Sequence, residues 1–453
     1  MSLHVIILAA GQGSRMKSDL PKVVHRLAGK PMLQHVIDTA SQLDAEKIHI
    51  VVGHGAEIVK QTIHDENVNW CLQAEQLGTG HAVAQAIDAI PQGAKVLILY
   101  GDVPLTSGNT LNDLVGSVEA QQLSLLTVEL ENPTGYGRII RNTEAEIAAI
   151  VEEKDASEEQ RYVTEVNTGI LAMSAASLHR YIPLLKNSNA QGEYYLTDII
   201  EIAVKHGDRV ESHQPQFEQE VQGVNNRLQL CELECWHQSR ISELLMLGGV
   251  TLYDPNRIDV RGHLQFGRDV IIDLNCIFEG DVVLGDNVQI GPNCIIKNAT
   301  IGAGTFIHAN SIIEDSVIGE ETNVGPYARL RPGTQLENKA KIGNFVETKK
   351  TIVGEGSKIN HLSYVGDTIL GRNVNVGAGT ITCNYDGVNK FITEIDDGVF
   401  VGSNSSLVAP VTIGKNATIG AGSTITKDIQ EEQLAVARGK QRNIDGWQRP
   451  IKN

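Results

Sequence analysis

The stretch VGSNSSLVAPVTIGKNATIGAGSTI, residues 401–425, has an aliphatic residue at every sixth position. These residues are Val401, Leu407, Ile413, Ile419 and Ile425. Neither an α-helix nor a coiled coil repeats every six residues. In a β-helix, each short strand contributes one inward aliphatic side chain before the chain turns a corner. The period extends back to residue 284, and roughly ten coils fit into residues 250–430, so this part of the chain predicts a parallel β-helix.

The first half of the chain lacks this period and reads as alternating strands and helices. Apolar runs at residues 4–10, 48–52 and 96–100 are bounded by glycine, which is typical of buried parallel strands. Pro31 begins a stretch with apolar residues at three-four spacing, which predicts a helix. This alternation predicts an open parallel α/β sheet, in which ligands bind at the carboxyl ends of the strands.

A third segment, residues 227–249, separates the expected domains 1–226 and 250–453. It has an amphipathic helical pattern and ends at a glycine pair. Its expected buried residues are Leu230, Leu233, Ile241, Leu244 and Leu245. Cys231 and Cys235 share one face at ligand-like spacing, but they lack suitable His or acidic partners. We therefore expect them to pack rather than to bind a metal.

Composition limits the classes of partner. The net charge of −17 argues against nucleic acid and anionic membranes as partners. The six cysteines form no CxxC pair and are expected to be reduced, mostly packing residues. The chain enters an apolar strand at once, with no signal-peptide pattern, and no apolar run approaches the ~20 residues of a membrane span. We expect a cytoplasmic protein.

Two features follow predicted strands. The loop LAAGQGSRM, residues 8–16, has glycines that let the backbone approach a phosphate, and Arg15 and Lys22 supply positive charge. It is not the dinucleotide fingerprint, because Arg15-Met16 stands where the third glycine would be. Asp102 follows the third strand, where it either bridges Mg²⁺ to a phosphate or caps a turn.

Together these motifs resemble the sugar-1-phosphate nucleotidyltransferases. With the hexads behind them, the whole chain is similar to the bacterial family of bifunctional N-acetylglucosamine-1-phosphate uridyltransferases and glucosamine-1-phosphate N-acetyltransferases. This resemblance implies that residues 1–226 form the uridyltransferase domain. It also implies that residues 250–453 form a left-handed β-helix acetyltransferase domain with a C-terminal tail.

For the first domain, the resemblance implies sites for UTP, N-acetylglucosamine-1-phosphate and Mg²⁺. Arg15 and Lys22 would act on the triphosphate, and Asp102 and Asn225 would hold Mg²⁺. The expected nucleotide and sugar contacts are Leu8, Ala9, Ala10, Gly11, Lys22, Gln73, Gly78, Thr79, Tyr100, Gly101, Asp102, Gly137, Glu152, Asn167 and Asn225. Taken singly, Gln73 is equally a surface amide and Asn167 a turn former.

For the β-helix, the resemblance implies that His361 is the general base of acetyl transfer from acetyl-coenzyme A, with Glu347 nearby. The implied glucosamine-1-phosphate contacts are Arg331, Lys349, Tyr364 and Asn375. The implied coenzyme contacts are Ala378, Asn384, Tyr385, Ser403, Ala421 and Arg438. A break in the hexads at residues 380–395 predicts a projecting loop. The basic tail is expected to cover a neighbouring subunit's coenzyme, and the resemblance implies a homotrimer.

Three other readings of the second half stay open at this stage. In the first, only the nucleotidyltransferase is active and the β-helix is regulatory or structural. In the second, the β-helix is an oligomerisation module without a ligand. In the third, it is a zinc hydratase. The last needs a histidine cluster, whereas His263, His308 and His361 are widely spaced in the sequence.

Overall fold

The computed structural model of this chain describes residues 1–119 and 121–452. The chain forms two compact units, Met1–His237 and Gln238–Asn453. The boundary lies inside the helix that joins them. Across the described residues, no helix has the length and apolarity needed to cross a membrane.

The first unit is built on a nine-stranded sheet with helices on both faces. Its strands, with a separate two-stranded ribbon formed by β2 and β3, are Leu3–Ala9 (β1), Arg26–Leu27 (β2), Lys30–Pro31 (β3), Lys47–Val52 (β4), Val68–Leu72 (β5), Lys95–Tyr100 (β6), Gln122–Glu129 (β7), Arg138–Arg141 (β8), Ile147–Val151 (β9), Glu165–Ser174 (β10) and Arg209–His213 (β11). The α-helices of the chain are Met32–Ser41 (α1), Ala56–Thr62 (α2), Thr79–Ile87 (α3), Gly108–Gly116 (α4), Glu158–Arg161 (α5), Ala175–Tyr181 (α6), Asp198–Lys205 (α7) and Arg227–Leu247 (α8).

The sheet confirms the three predicted strands as β1, β4 and β6. The strand order is β11-β7-β10-β6-β1-β4-β5, and β1 pairs in parallel with both β4 and β6. The sheet differs from a fully parallel one because β10 runs antiparallel to β6 and β7. Leu8 pairs with Tyr100, so the segments that follow β1 and β6 leave the sheet side by side at its carboxyl edge.

Two helices allow a direct comparison with the sequence pattern. Helix α1 buries the five apolar residues that the three-four spacing selects, so this prediction is confirmed. In α8 the expected amphipathic face is only partly correct. Leu233 is fully buried in the first unit and Leu245 is buried in the second, whereas Leu244 is 60% exposed. Cys231 and Cys235 are also exposed, so the prediction that they pack in a core is wrong.

The second unit is a parallel β-helix, as the hexads predict. Its strands are Thr251–Leu252 (β12), Ile258–Phe266 (β13), Ile271–Ile272 (β14), Cys276–Leu284 (β15), Gln289–Ile290 (β16), Ile295–Ile301 (β17), Phe306–Ile307 (β18), Ile312–Ile318 (β19), Asn323–Val324 (β20), Arg329–Leu330 (β21), Gln335–Leu336 (β22), Lys341–Asn344 (β23), Glu347–Val353 (β24), Lys358–His361 (β25), Tyr364–Leu370 (β26), Asn375–Val376 (β27), Ile381–Cys383 (β28), Thr393–Ile395 (β29), Phe400–Val401 (β30), Ser406–Val408 (β31), Val411–Ile413 (β32), Thr418–Ile419 (β33), Thr424–Ile425 (β34) and Leu434–Ala435 (β35). They form an eleven-stranded and a thirteen-stranded parallel sheet.

The aliphatic residues of successive coils lie directly above one another. Ile342 pairs with Ile359, Ile359 with Val376, and Val376 with Val401, and all four are buried. Burying a side chain of this size contributes about 1.5–3 kcal/mol. Repetition of such columns therefore gives the unit one continuous core along its axis.

The predicted interruption is a real insertion between two faces of the β-helix. Tyr364 pairs with Ile381, an offset of 17 residues, whereas Thr368 pairs with Thr393, an offset of 25. The extra residues fall between β28 and β29. Tyr385 and Lys390 form an antiparallel bridge within them, so the insertion is an ordered loop.

The burial pattern of α8 predicts different effects for two leucines of the same helix. Leu233→Ala should lower the free energy of unfolding of the first unit by about 2–5 kcal/mol, because it removes a fully buried side chain. Leu244→Ala, on the exposed part of the helix that belongs to the second unit, should change the free energy of unfolding of that unit by less than about 0.5 kcal/mol. Urea unfolding of both variants measures the difference, and equal losses would contradict the packing of α8 described here.

Candidate active sites

The first candidate site is a cavity of about 310 Å³ at the carboxyl ends of β1 and β6. Ten of the residues that the sequence nominates for this domain line it. They are Leu8, Ala9, Ala10, Gly11, Lys22, Gln73, Gly78, Thr79, Tyr100 and Asp102. The sheet thus gathers segments that are far apart in the sequence, as expected at a strand-end crevice.

The loop after β1 turns sharply at Gly13. Gly13 has φ +62°, and a Cβ there would lie 2.7 Å from the Cβ of Lys22. Only a residue without a side chain allows the loop to lie against the Lys22 segment in this conformation. The same loop leads into a short helical turn, Ser14–Met16, whose Met16 is buried and whose Arg15 is exposed. The backbone therefore presents Arg15 and Lys22 on the same side.

Lys22, Asp102 and Asn225 meet at one point of this site. The ammonium of Lys22 is hydrogen-bonded to Asp102 Oδ2 and lies 3.1 Å from Asn225 Oδ1. Arg15 donates to the same Asn225 oxygen at 2.9 Å. The backbone N–H of Val224 donates to the Asp102 carbonyl at 2.9 Å. This bond explains why Asp102 and Asn225, which are 123 positions apart, are adjacent. A carboxylate and an amide oxygen thus face one cation.

Gln73 and Gly78 form the opposite end of the cavity. Gln73 is 3% exposed, and its Nε2 donates to the Gly78 carbonyl at 3.1 Å. The interpretation of Gln73 as a surface amide is therefore wrong. Gly78 has φ +109°, and a Cβ there would lie 2.6 Å from the Tyr194 carbonyl oxygen. Thr79 Oγ1 accepts from Leu196 N–H at 3.0 Å, so these residues are held by the segment around residue 195.

A second group of predicted residues surrounds Tyr100. Its ring lies against Gly169, where a Cβ would come within 2.6 Å of the ring. Asn167 is buried; its N–H donates to the Gly137 carbonyl at 2.8 Å, and its Oδ1 accepts from Gly169 N–H at 3.0 Å. Burial, with the nearby carboxylates of Glu152 and Asp102, raises the pKa of the Tyr100 hydroxyl, which therefore stays protonated.

Glu152 belongs to an acidic cluster beside these residues. Burial raises the pKa of Glu152, and a 3.0 Å hydrogen bond from Thr197 Oγ1 partly opposes this effect. Burial, followed by repulsion from Glu201 and Glu152, raises the pKa of Asp198 to about 6. The cluster is well suited to accept hydrogen bonds from neutral hydroxyl or amide groups.

The second candidate site lies on the β-helix, where three cations meet. Arg331 follows β21, Lys349 lies in β24, and Lys390 comes from the inserted loop. The positive charge of Lys390, followed by that of Arg331, lowers the pKa of Lys349. Glu347 accepts from Arg331 Nη1 at 2.8 Å and so neutralises only part of this charge. This local excess of positive charge is suited to an anion.

His361 ends strand β25 beside this cluster and is exposed. Its Nδ1 lies 2.7 Å from Asn344 Oδ1, one coil earlier. An amide oxygen only accepts, so Nδ1 is the donor in this hydrogen bond; in the neutral ring Nε2 is then the nitrogen free to accept a proton. Tyr364 pairs with Glu347 across the coils, and Asn375 begins strand β27.

The predicted coenzyme residues lie at the same corner of successive coils as His361. Gly379 N–H donates to the His361 carbonyl, Asn404 N–H to the Ala378 carbonyl, and Gly422 N–H to the Ser403 carbonyl. Arg438 Nη1 donates to the Ala421 carbonyl at 2.6 Å. With about 4.8 Å between adjacent strands, the line from His361 to Ala421 is about 14 Å long. Such a corner fits an extended ligand.

The inserted loop adds two residues to this side of the unit. Asn384 is buried and its side chain is hydrogen-bonded to Asp367 of β26. Tyr385 is 59% exposed, with its hydroxyl 2.5 Å from the Gly387 carbonyl. Asn384 therefore anchors the loop to β26, and the next residue, Tyr385, is exposed on its surface.

Sequence reasoning missed several residues at both sites. Gln76, Val23, Ala82 and Glu193 line the first cavity, and Thr197 holds Glu152. The polar and aromatic run at residues 192–198 is the only sequence signal for the last two. In the β-helix, the repeat itself marks Asn344, because 17 residues separate it from His361. Among the described residues, no three His, Cys, Asp or Glu side chains converge as a metal site.

Comparison with known families agrees with this two-part organisation. Residues 5–160 match the MobA-like NTP transferase domain, and residues 260–337 match the GMPPB C-terminal domain. Residues 392–427 match the bacterial transferase hexapeptide family of six repeats.

Curated relatives extend the match to nearly the whole chain. The chain is 65% identical over 450 residues to the bifunctional protein GlmU of Marinobacter nauticus, covering 99% of each. It is 59% identical to the protein of that name from Cellvibrio japonicus, with 99% of each covered. It is 58% identical to that of Saccharophagus degradans, covering 99% of this chain and 100% of the relative.

The raised pKa of Asp198 predicts a pH-dependent effect on stability. The folded carboxyl keeps its proton up to about pH 6, whereas the unfolded one loses it near pH 4, so ionisation destabilises the fold as pH rises through this window. Asp198→Asn should therefore raise Tm at pH 7 by a few degrees, since about 1 kcal/mol corresponds to about 2–4 °C. The gain should disappear near pH 4. Asp113→Asn, an exposed carboxyl on α4, is the control, and a gain independent of pH would refute this account.

Proposed function

Because this chain belongs to the GlmU family of bifunctional proteins, we propose that it makes UDP-N-acetylglucosamine in two steps. The β-helix transfers an acetyl group from acetyl-coenzyme A to the amine of glucosamine-1-phosphate. The first unit then transfers the uridyl group of UTP to the resulting N-acetylglucosamine-1-phosphate and releases pyrophosphate. The line of corner residues that joins His361 to the predicted coenzyme contacts carries the acetyl-transfer half of this proposal.

In the uridyl-transfer step, the chain mainly positions two anionic substrates. A phosphate oxygen of the sugar phosphate attacks the α-phosphorus of UTP in line, and pyrophosphate leaves. Arg15 and Lys22 neutralise the triphosphate as charge develops on the leaving group. Gln73 and Gly78-Thr79 contact the uracil, while Gly137, Glu152 and Asn167 receive the sugar. No covalent residue is required, because alignment of the reactants supplies most of the rate enhancement.

The residues at the junction of the two substrates fit Mg²⁺. Asp102 and Asn225 present one carboxylate and one amide oxygen to the same point, now faced by the Lys22 ammonium. Hard oxygen ligands supplied by one or two protein side chains, with phosphates and water completing the set, are the usual Mg²⁺ environment. When bound, the metal neutralises phosphate charge. Lys22 is then free to move from Asp102 towards a phosphate oxygen.

In the acetyl-transfer step, His361 acts as the general base. The hydrogen bond to Asn344 orients the ring and leaves Nε2 to take the proton from the attacking amine. Arg331, Lys349 and Lys390 hold the sugar phosphate, with Tyr364 and Asn375 beside it. The coenzyme runs along the corner formed by Ala378, Ser403 and Ala421, between Asn384-Tyr385 and Arg438. The amine nitrogen bonds to the thioester carbon, and the coenzyme thiolate leaves and is protonated.

The assembly we propose is a homotrimer. Hexapeptide-repeat domains are compatible with oligomerisation. The exposed tail at residues 439–452 carries Trp447 and four further cations, Lys440, Arg442, Arg449 and Lys452, and would then cover a coenzyme bound to a neighbouring subunit. Acetyl-transfer activity would also distinguish this proposal from one in which the β-helix serves only regulation or assembly.

The proposed function is tested by supplying UTP, acetyl-coenzyme A and glucosamine-1-phosphate with Mg²⁺ and detecting UDP-N-acetylglucosamine by mass. Asp102→Ala and Asn225→Ala should each reduce uridyl transfer by at least about 100-fold, because each removes an oxygen ligand and charge neutralisation at the reacting phosphates. Both should leave acetyl transfer nearly intact. Equal loss of both activities in a folded variant would count against a local metal site.

The role of His361 has its own test. His361→Ala should lower the acetyl-transfer rate by about 10²–10⁴-fold, the usual contribution of a positioned general base. Coenzyme binding, uridyl transfer, Tm and oligomer size should hardly change. A purely structural histidine would instead lower Tm and weaken the oligomer. Near-normal acetyl transfer in a folded His361→Ala protein would remove this residue from the mechanism.

A further inference from the structure

Arg138 is a buried cation that the proposed mechanism does not use. It lies at the start of β8, directly after Gly137, and is only 1% exposed. Its Nη2 donates to Glu153 Oε2 at 2.7 Å, and its Nη1 donates to the Tyr136 carbonyl. Its Nε is buried without a partner among the described residues. Glu153 is only partly buried, and even a fully buried ion pair is often no more stable than apolar residues of similar volume, so fold stability alone is a weak reason for this arrangement.

The Arg138–Glu153 pair holds both sides of one turn. Glu153 Oε2 also accepts from the Gly135 N–H at 3.3 Å, while Arg138 holds the carbonyl of the next residue, Tyr136. Gly135 has φ +90°, and the turn is closed by a 3.2 Å hydrogen bond from Tyr136 N–H to the Pro133 carbonyl. One charged pair therefore holds two consecutive residues of the turn at residues 133–137.

The turn leads directly to residues proposed to bind the sugar. The Gly137 carbonyl accepts from Asn167 N–H at 2.8 Å, and a Cβ at Gly137 would lie 3.4 Å from Glu152 Oε1. A shift of the turn would thus displace one wall of the proposed sugar site.

We propose that Arg138 and Glu153 are positioning residues that hold Gly137 and Asn167 in the geometry required by the N-acetylated sugar phosphate. This inference rests on the proposed uridyl transfer. It does not make either residue catalytic, because neither is placed against the reacting phosphates. It predicts a defect confined to one substrate, since the turn lies away from Gln73 and Gly78 at the uracil end.

The test uses the full chain and compares two ion pairs whose arginines both lie in β8. Arg138→Lys keeps the charge but loses the planar pair of donors that reaches Glu153 and Tyr136 together. Glu153→Gln keeps an acceptor for Arg138 without the charge, and it remains available if the Arg138 variant does not fold. Arg141→Lys is the matched control, because Arg141 pairs with Glu165 at 2.7 and 2.8 Å outside the turn.

We expect the first two variants to raise KM for N-acetylglucosamine-1-phosphate by about 10–100-fold, the size of effect caused by a displacement of about 1 Å. KM for UTP and the acetyl-transfer rate should stay within about twofold of the wild type. Hydrogen exchange at the Gly135 and Asn167 amides should be faster in these variants and unchanged in Arg141→Lys.

Unchanged sugar-phosphate KM in both variants, measured against an active wild type, would overturn the positioning role and leave the proposed function in place. So would equal losses for UTP and the sugar phosphate that follow Tm, because this pattern indicates a purely structural pair. A wild-type chain that forms no nucleotide sugar would contradict the proposed function itself, and the sugar role of the turn with it.

Discussion

Parallel hydrogen bonding between strands that are distant in the sequence is the constraint on which both candidate sites depend. In the first unit it aligns β1 with β6, so the loops that follow them open at the same edge of the sheet. In the second unit it stacks most coils at offsets of 17 or 18 residues, so each corner becomes a line of equivalent positions. Neither site is built by separate structural elements, because the strand register determines where the residues of both sites lie.

Each site also depends on one interruption of a regular pattern. The antiparallel strand β10 brings Asn167 and Gly169 against Gly137 and Tyr100, which a purely parallel sheet would not do. The insertion between β28 and β29 brings Lys390 towards Lys349, in a unit whose other coils are compact. The regular strands make each site rigid, and strand β10 and the inserted loop add contacts that the regular strands do not provide. This division is physically reasonable, because binding groups are best held by rigid elements but must converge from different directions.

Electrostatics differ between the two sites in a way that matches their proposed substrates. Lys22 is balanced by Asp102, so the first site can exchange this contact for phosphate and a divalent cation. On the β-helix, Arg331, Lys349 and Lys390 outnumber the nearby carboxylates, which suits a single phosphate without a metal. The proposed function therefore requires a strongly acidic chain to bind anions through local clusters of positive charge, whereas its net charge describes only the average surface.

The sequence by itself determined the two architectures, the strands β1, β4 and β6, helix α1 and the interrupted hexads, because periodicity reports directly which side chains are buried. Motifs and the family resemblance together also predicted Gly11, Lys22, Asp102 and His361 as site residues. It misjudged Leu244, Cys231 and Cys235, since helical spacing shows that residues share a face but not whether anything covers that face. Only the tertiary structure decided that Asn344 contacts His361 and that Arg138 holds the turn before Gly137. These contacts depend on strand register and side-chain direction, which local sequence leaves open.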